Sequence, residues 1–120
     1  MPDFEGTKAI TLQPDDSAIP YRFEWTICSA STNNDGALPY GHSLSSVVTE
    51  CHRVDGTVVT TGIVSASSMT VNVLTLWLGY PASSDAQLGR HHLTFAATIS
   101  DGTTTYTREF DFNRLYVKDR

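Results

Sequence analysis

Ile19, Tyr21, Phe23, Trp25 and Ile27 alternate with Pro20, Arg22, Glu24 and Thr26. Successive side chains on a strand point to opposite faces, so this stretch predicts a half-buried strand with one apolar face. Burying Phe23 and Trp25 contributes roughly 2–3 kcal/mol each by area transfer, which puts Trp25 at the centre of the expected core.

The same period of two runs through Gly89–Ser100 and Thr103–Val117, on either side of Asp101-Gly102. Asp-Gly between alternating segments signals a two-residue type I′ hairpin, because Gly and Asp tolerate positive φ. That turn sets Leu93 opposite Phe110, Ala97 opposite Tyr106 and Ile99 opposite Thr104. One face then carries Leu93, Phe95, Ala97, Ile99, Tyr106, Phe110 and Phe112. The other carries His92, Thr94, Ala96, Thr98, Thr105, Thr107, Glu109 and Asp111. Arg108 falls on the apolar face. A bulge would re-aim it; the preferred expectation is that its aliphatic stem lies over the core edge with the guanidinium in water.

Weaker patterns complete the chain. Lys8 to Leu12 predicts a short first strand, stopped by Gln13-Pro14-Asp15-Asp16. Ser29 to His42 reads as a long irregular loop. Leu44–Val54 and Thr57–Val64 read as a hairpin around Asp55-Gly56, with Val47, Cys51 and Val58 inward and Glu50 and His52 in water. Met69–Leu78 reads as one strand, apolar on both faces towards its end and therefore central or covered by a partner. Gly79 to Asp85 reads as a loop. The expectation is a flexible arm at 1–7, one domain over 8–117 and a short tail at 118–120. About seven strands at these spacings predict an all-β, immunoglobulin-like antiparallel sandwich, with Tyr21, Phe23, Trp25, Leu93, Phe95, Ile99 and Phe110 in its core.

Composition agrees with that class. Of 120 residues, 40% are hydrophobic and 10% aromatic, enough to bury a core, and the chain has sixteen Thr and twelve Ser. It carries 13 acidic residues against 8 basic ones, a net charge of −5. No basic stripe exists, so binding to nucleic acid through its phosphates is not expected. The N-terminus MPDFEGTK lacks the apolar stretch of a secretory signal, and Val71 to Leu78 is too short to span a bilayer, so a soluble protein made in the cytoplasm is expected.

Candidate chemistry is sparse. Cys28 and Cys51 are expected to be free, mostly buried thiols, with a disulfide as the alternative. Gly41-His42-Ser43-Leu44-Ser45 resembles a nucleophile elbow only in part: its last position is Ser45, and a strand rather than a helix follows. His91 and His92 are adjacent and point to opposite faces, while His42 and His52 lack partners at ligand spacing. Asp15-Asp16 and Asn33-Asn34-Asp35 do not have the spacing of a calcium loop. No catalytic residue, metal ligand or cofactor is therefore assigned.

Two separated segments resemble small immunoglobulin-like virion proteins of tailed bacteriophages. QPDDSAIPYRFEWT, at 13–26, is similar to their opening, and TLWLGYP with LGRHHLTFAATISDGTTTYTREFDF, within 75–112, to their ending. The positions that carry the likeness are Tyr21, Glu24, Trp25, Trp77, Leu78, Gly79, Gly89, Asp101 and Gly102. The resemblance implies a structural role in the virion: a tail or neck adaptor that attaches fibres, with portal, tail, fibre or capsid proteins as partners and a ring or array of identical copies. A capsid decoration protein is the close alternative. Candidate interface residues are Thr94, Thr98, Thr105 and Thr107 on the threonine-rich face, with Phe4 and Tyr116 in segments expected to reach across subunits. A glycan-binding module using Tyr40 and the asparagines of the 29–42 loop is the competing class, and an enzyme using His42 or Ser43 comes third.

Overall fold

A computed structural model of the chain describes residues 9–13, 18–31, 36–59, 63–80 and 88–118. They form eight strands: β1 Ile10–Leu12, β2 Ile19–Glu24, β3 Ser43–Arg53, β4 Val58–Val59, β5 Val64–Thr70, β6 Val73–Leu78, β7 Gly89–Ser100 and β8 Thr105–Val117. One sheet runs β1-β8-β7-β3-β4 and the other β2-β6-β5. All neighbours are antiparallel except β1 and β8, which are parallel. The fold is an all-β, immunoglobulin-like sandwich, in which β2, β6 and β5 take the places of strands B, E and D and β3, β7 and β8 those of C, F and G.

The two sheets are joined by aromatic packing. Phe23 of β2 lies with its ring centroid 5.0 Å from Phe95 and 5.4 Å from Phe112. Trp25, just past β2, meets Phe95 at 5.6 Å and Phe110 at 5.7 Å, both edge to face. Antibody domains bridge strands B and F with a disulfide; here β2 and β7 meet through Phe23 and Phe95, and both cysteines are buried free thiols. Six of the seven expected core residues are fully enclosed and Tyr21 is half-buried against them.

The ends of the β2 pattern do not hold. Ile19 and Ile27 are 37% and 45% exposed. The strand stops at Glu24, and Ile27 leaves the sheet to form a parallel bridge with Leu38. That bridge also corrects the reading of 29–42 as an irregular loop throughout. Leu38 is fully buried, its N–H donates to the Thr26 carbonyl at 2.9 Å, and its own carbonyl accepts from Cys28 at 2.7 Å. Gly36 fits against this segment because a Cβ there would sit 2.7 Å from the Thr26 carbonyl oxygen.

Met69–Leu78 is two strands, and the count is eight. The chain reverses at Val71-Asn72, where Asn72 has φ of +58° and Thr70 pairs with Val73. Asn is among the few residues besides Gly that adopt this conformation readily. Val64 accordingly begins β5 and does not continue the β4 hairpin. In β4, Val59 rather than Val58 pairs with Cys51, so Val59 faces inward half-buried and Val58 points out. Val47 and Cys51 do face inward, and β6 is the central strand of its sheet.

The β7–β8 ribbon has the expected faces and a different register. Leu93 pairs with Phe112, Phe95 with Phe110, Ala97 with Arg108 and Ile99 with Tyr106. The tip is Gly102-Thr103, one residue later than expected. A type I′ turn needs positive φ at both central residues, and only Gly102 has it, at +99°. The Asp101 carboxylate instead accepts the N–H groups of Thr103 and Thr104, both at 2.8 Å, and the Thr104 hydroxyl at 3.1 Å. Those bonds, the Thr104 N–H foremost, favour the ionised carboxylate and hold its pKa below the ordinary aspartate value. Each partner slips by two residues, which leaves every side chain on its original face. Arg108 lies opposite buried Ala97 in an unbulged stretch, its guanidinium carbon 5.5 Å from the Phe110 ring centroid. Its stem therefore covers the core edge.

A bulge between His91 and Leu93 reverses the facing of β8, so Leu115 and Val117 point inward. Tyr116 and Val117 are held between β1 and β7, paired with Thr11 and Leu12 on one side and with Arg90 and Gly89 on the other. They do not form a reaching tail, and even Lys118 donates its N–H to Leu12 at 2.9 Å. The arm at 1–7 and residues 119–120 lie outside the described residues.

His91 shares the inward face of β7 with Leu93 and is completely enclosed. Its Nδ1 donates to the Gly89 carbonyl at 3.1 Å, and Nε2 has no hydrogen-bond partner among the described residues. Burial, reinforced by Arg53 and His92, lowers its pKa from 6.5 against the opposing effect of the Gly89 bond. The unfolded chain thus binds more protons than the folded one in mild acid. The stability from keeping His91 neutral is complete above the unfolded pKa of about 6.5 and is lost as pH falls from there through the lowered folded pKa. Urea midpoints should fall between pH 7.5 and 5, and His91→Leu should flatten that slope. Equal slopes in the two proteins would remove His91 as its source.

Candidate protein-binding face

The outer face of the five-stranded sheet is built from alternate residues of three neighbouring strands. The register sets Ser46 beside Thr98 and Thr107, Val48 beside Ala96 and Glu109, and Glu50 beside Thr94 and Asp111. Ser100 pairs with Thr105 near the hairpin tip. Four of the predicted interface residues, Thr94, Thr98, Thr105 and Thr107, therefore share one surface. Tyr116 lies beyond the bulge, half-buried between Thr11 and Arg90, with the Lys118 ammonium 5.7 Å from its ring centroid. Phe4 lies outside the described residues.

Most side chains on this surface are short. Thr packs well on a pleated surface and leaves its hydroxyl to water or a partner. Thr94 donates to the Asp111 carboxylate at 3.3 Å, which fixes one acidic group in place. Val48, 69% exposed, stands near the middle of the face. Sequence reading missed Val48 because both parities of β3 mix apolar and polar residues; the usable signal was Cys51, whose burial forces Val48 and Glu50 outward.

Register brings one pair of histidines together: β3 and β7 set His52 directly opposite His92, with the rings stacked at 5.0 Å, and His52 Nε2 lies 2.9 Å from a Glu50 carboxylate oxygen. His91 and His92 do face opposite ways. Among the described residues no group of three His, Cys, Asp or Glu side chains is placed to hold a metal ion. His42 Nδ1 lies 2.7 Å from the Tyr106 hydroxyl at the other end of the sheet. Ser43 opens β3 and does not sit on a strand-to-helix elbow.

The recesses offer little reactive chemistry. One lies between β3, β4 and β5, lined by Thr49, Glu50, Cys51, Val58, Val59 and Val64. Burial pushes the Cys51 thiol up to about 12, so at neutral pH it is a packing group rather than a nucleophile. Cys28 Sγ accepts from the Gly36 N–H at 3.2 Å and serves the 27–38 bridge. Tyr40 is 61% exposed, and Asn33 and Asn34 lie outside the described residues.

Fold and surface together define an immunoglobulin-like sandwich whose outer sheet face sets threonines and Val48 beside the carboxylates Glu50, Glu109 and Asp111. Comparison of the chain with protein-family models, curated proteins and solved structures finds no match.

Proposed function

We propose that this chain is a structural component of a tailed-bacteriophage virion, an adaptor at the tail or neck that mediates protein–protein assembly and fibre attachment. The observation that carries the reading is the β3-β7-β8 face, where Val48, Ala96, Thr98 and Thr107 form a patch of short uncharged side chains bordered by Glu109. Such a patch is desolvated at low cost and adapts to a flat partner, while an interface core tolerates few charges. The resemblance of residues 13–26 and 75–112 to virion proteins supports the setting. Its partners are portal, tail, fibre or capsid proteins, and copies of the chain itself in a ring or array. A place on the capsid surface, as a decoration protein, uses the same face.

Native mass spectrometry and light scattering with candidate portal and tail proteins test the reading. Binding is expected, and Val48→Glu or Thr98→Arg should weaken it by at least about tenfold, the loss typical of an interface hot spot. Both positions face solvent, so thermal unfolding should change little. A chain that binds no virion component, or binds one with both substitutions in place, rules the proposal out. Binding to a glycan array that is lost on Tyr40→Ala would favour the glycan-binding class instead.

A further inference from the structure

We propose that the free edge of β5 is a self-association site, where β5 of a second copy adds antiparallel across a two-fold axis at Ser68. The idea rests on the assembly reading for its setting and names the surface through which copies meet. Among the described residues the two sheets end in four edge strands. β1 has 3 residues and β4 has 2, too short to template a partner. β2 carries Pro20, Arg22 and Glu24, and proline and charge are the usual means of blunting an edge. β5, Val64–Thr70, is 7 residues long and has neither.

Backbone geometry fits such a contact. A two-residue hairpin loop makes Thr70 and Val73 a hydrogen-bonded pair, and alternation makes Ser68 and Thr75 the next. The N–H and C=O groups of Ser67 and Met69 therefore point away from β6. A two-fold axis at Ser68 sets Ser67 against Met69 of the second copy and the reverse. Each of those pairs exchanges two hydrogen bonds. Ser68 then faces its own twin, and two serines crowd neither side.

Charge selects a second copy as the occupant. The chain carries −5 overall, yet no charged residue occurs from Gly56 to Ser84, and β5 and β6 both lie inside that run. Like charges set opposite each other destabilise a strand pair. Two copies meeting here bring no ionised group of those strands against its twin, whereas the β3-β7-β8 face would oppose Glu50, Glu109 and Asp111 to their counterparts. The resulting contact extends one sheet across both molecules. It is narrower than a standard interface of about 800 Å² per partner, so the association is weak and dependent on concentration.

Sedimentation equilibrium of the full chain from micromolar to near-millimolar concentration should show a monomer–dimer equilibrium. Ser68→Lys places two ammonium groups across the axis and should weaken the dimer by at least about tenfold. Its thermal unfolding should match the parent, since Ser68 is exposed. Amide exchange at Ser67 and Met69 should slow as the dimer forms, while that at Ser68 and Thr70 is already protected by β6. A monomer at every concentration overturns the proposal, as does a dimer that Ser68→Lys leaves intact. A dimer lost on Val48→Glu places the copies face to face, and one lost on deleting residues 1–8 fills the edge with the arm; either result overturns strand-to-strand pairing. Failure of virion-protein binding alongside an intact, Ser68-dependent dimer would count against the assembly reading alone.

Discussion

Phe95→Ala should lower the free energy of unfolding by about 3–5 kcal/mol, the range for truncating a buried phenylalanine. Phe95 is fully enclosed and touches the two fully buried aromatic residues on the opposite side, Phe23 at 5.0 Å and Trp25 at 5.6 Å. Removing the ring forfeits its own transfer energy and leaves both neighbours beside a void that β-sheets cannot readily close. The edge-to-face contact with Trp25 adds about 0.5–1.5 kcal/mol, which places the expected value towards the upper part of the range. A domain of this size has only about 5–15 kcal/mol to lose. Phe95→Leu, which keeps most of the volume, should cost far less. Urea unfolding followed by tryptophan fluorescence, with Trp25 in contact, measures both. A loss below about 1.5 kcal/mol for Phe95→Ala would mean that the Phe23–Phe95 contact is not what joins the sheets in place of a disulfide.

Asn72→Ala should cost about 2 kcal/mol, from two separable sources. At φ of +58° an alanine is strained where asparagine is tolerated. The side-chain amide also vanishes, and the Leu44 N–H loses the acceptor that Asn72 Oδ1 provides at 2.8 Å. The backbone carbonyl of Asn72, which accepts from Trp25 N at 2.9 Å, survives any substitution but shifts if the turn relaxes. Asn72→Gly keeps the left-handed conformation and loses only the amide, so it should cost about half as much. Equal losses for the two variants would show that backbone strain plays no part. The residue is a small polar link between the β5–β6 turn, the end of β2 and the start of β3.

These two residues were not equally visible beforehand. Phe95 stands in an unbroken alternation from Leu93 to Ile99, and any pairing that buries one of that set buries the rest. Asn72 sits inside an apolar run without Gly or Pro beside it, and its turn looked like the middle of a strand. Arg108, between Tyr106 and Phe110 on the apolar face, was readable as either a bulge or a stem over the core edge, and the unbulged register decided for the stem. The outer surface was half legible: the threonines of β7 and β8 follow from parity, whereas Val48 and the stacking of His52 on His92 depend on which strand lies beside β7.

Alternation of apolar and polar side chains dictated strands, the all-β class, the aromatic core and the two faces of the β7–β8 ribbon, because facing is a local property with a period of two. Pairing is not local. Which strands become neighbours, the register at Gly102-Thr103, the bulge that turns Leu115 and Val117 inward and the free edge at β5 were set by contacts between distant segments. There, small differences in hydrogen bonding, such as the Asp101 carboxylate taking two backbone N–H groups, outweigh the statistical preference of a dipeptide for one turn.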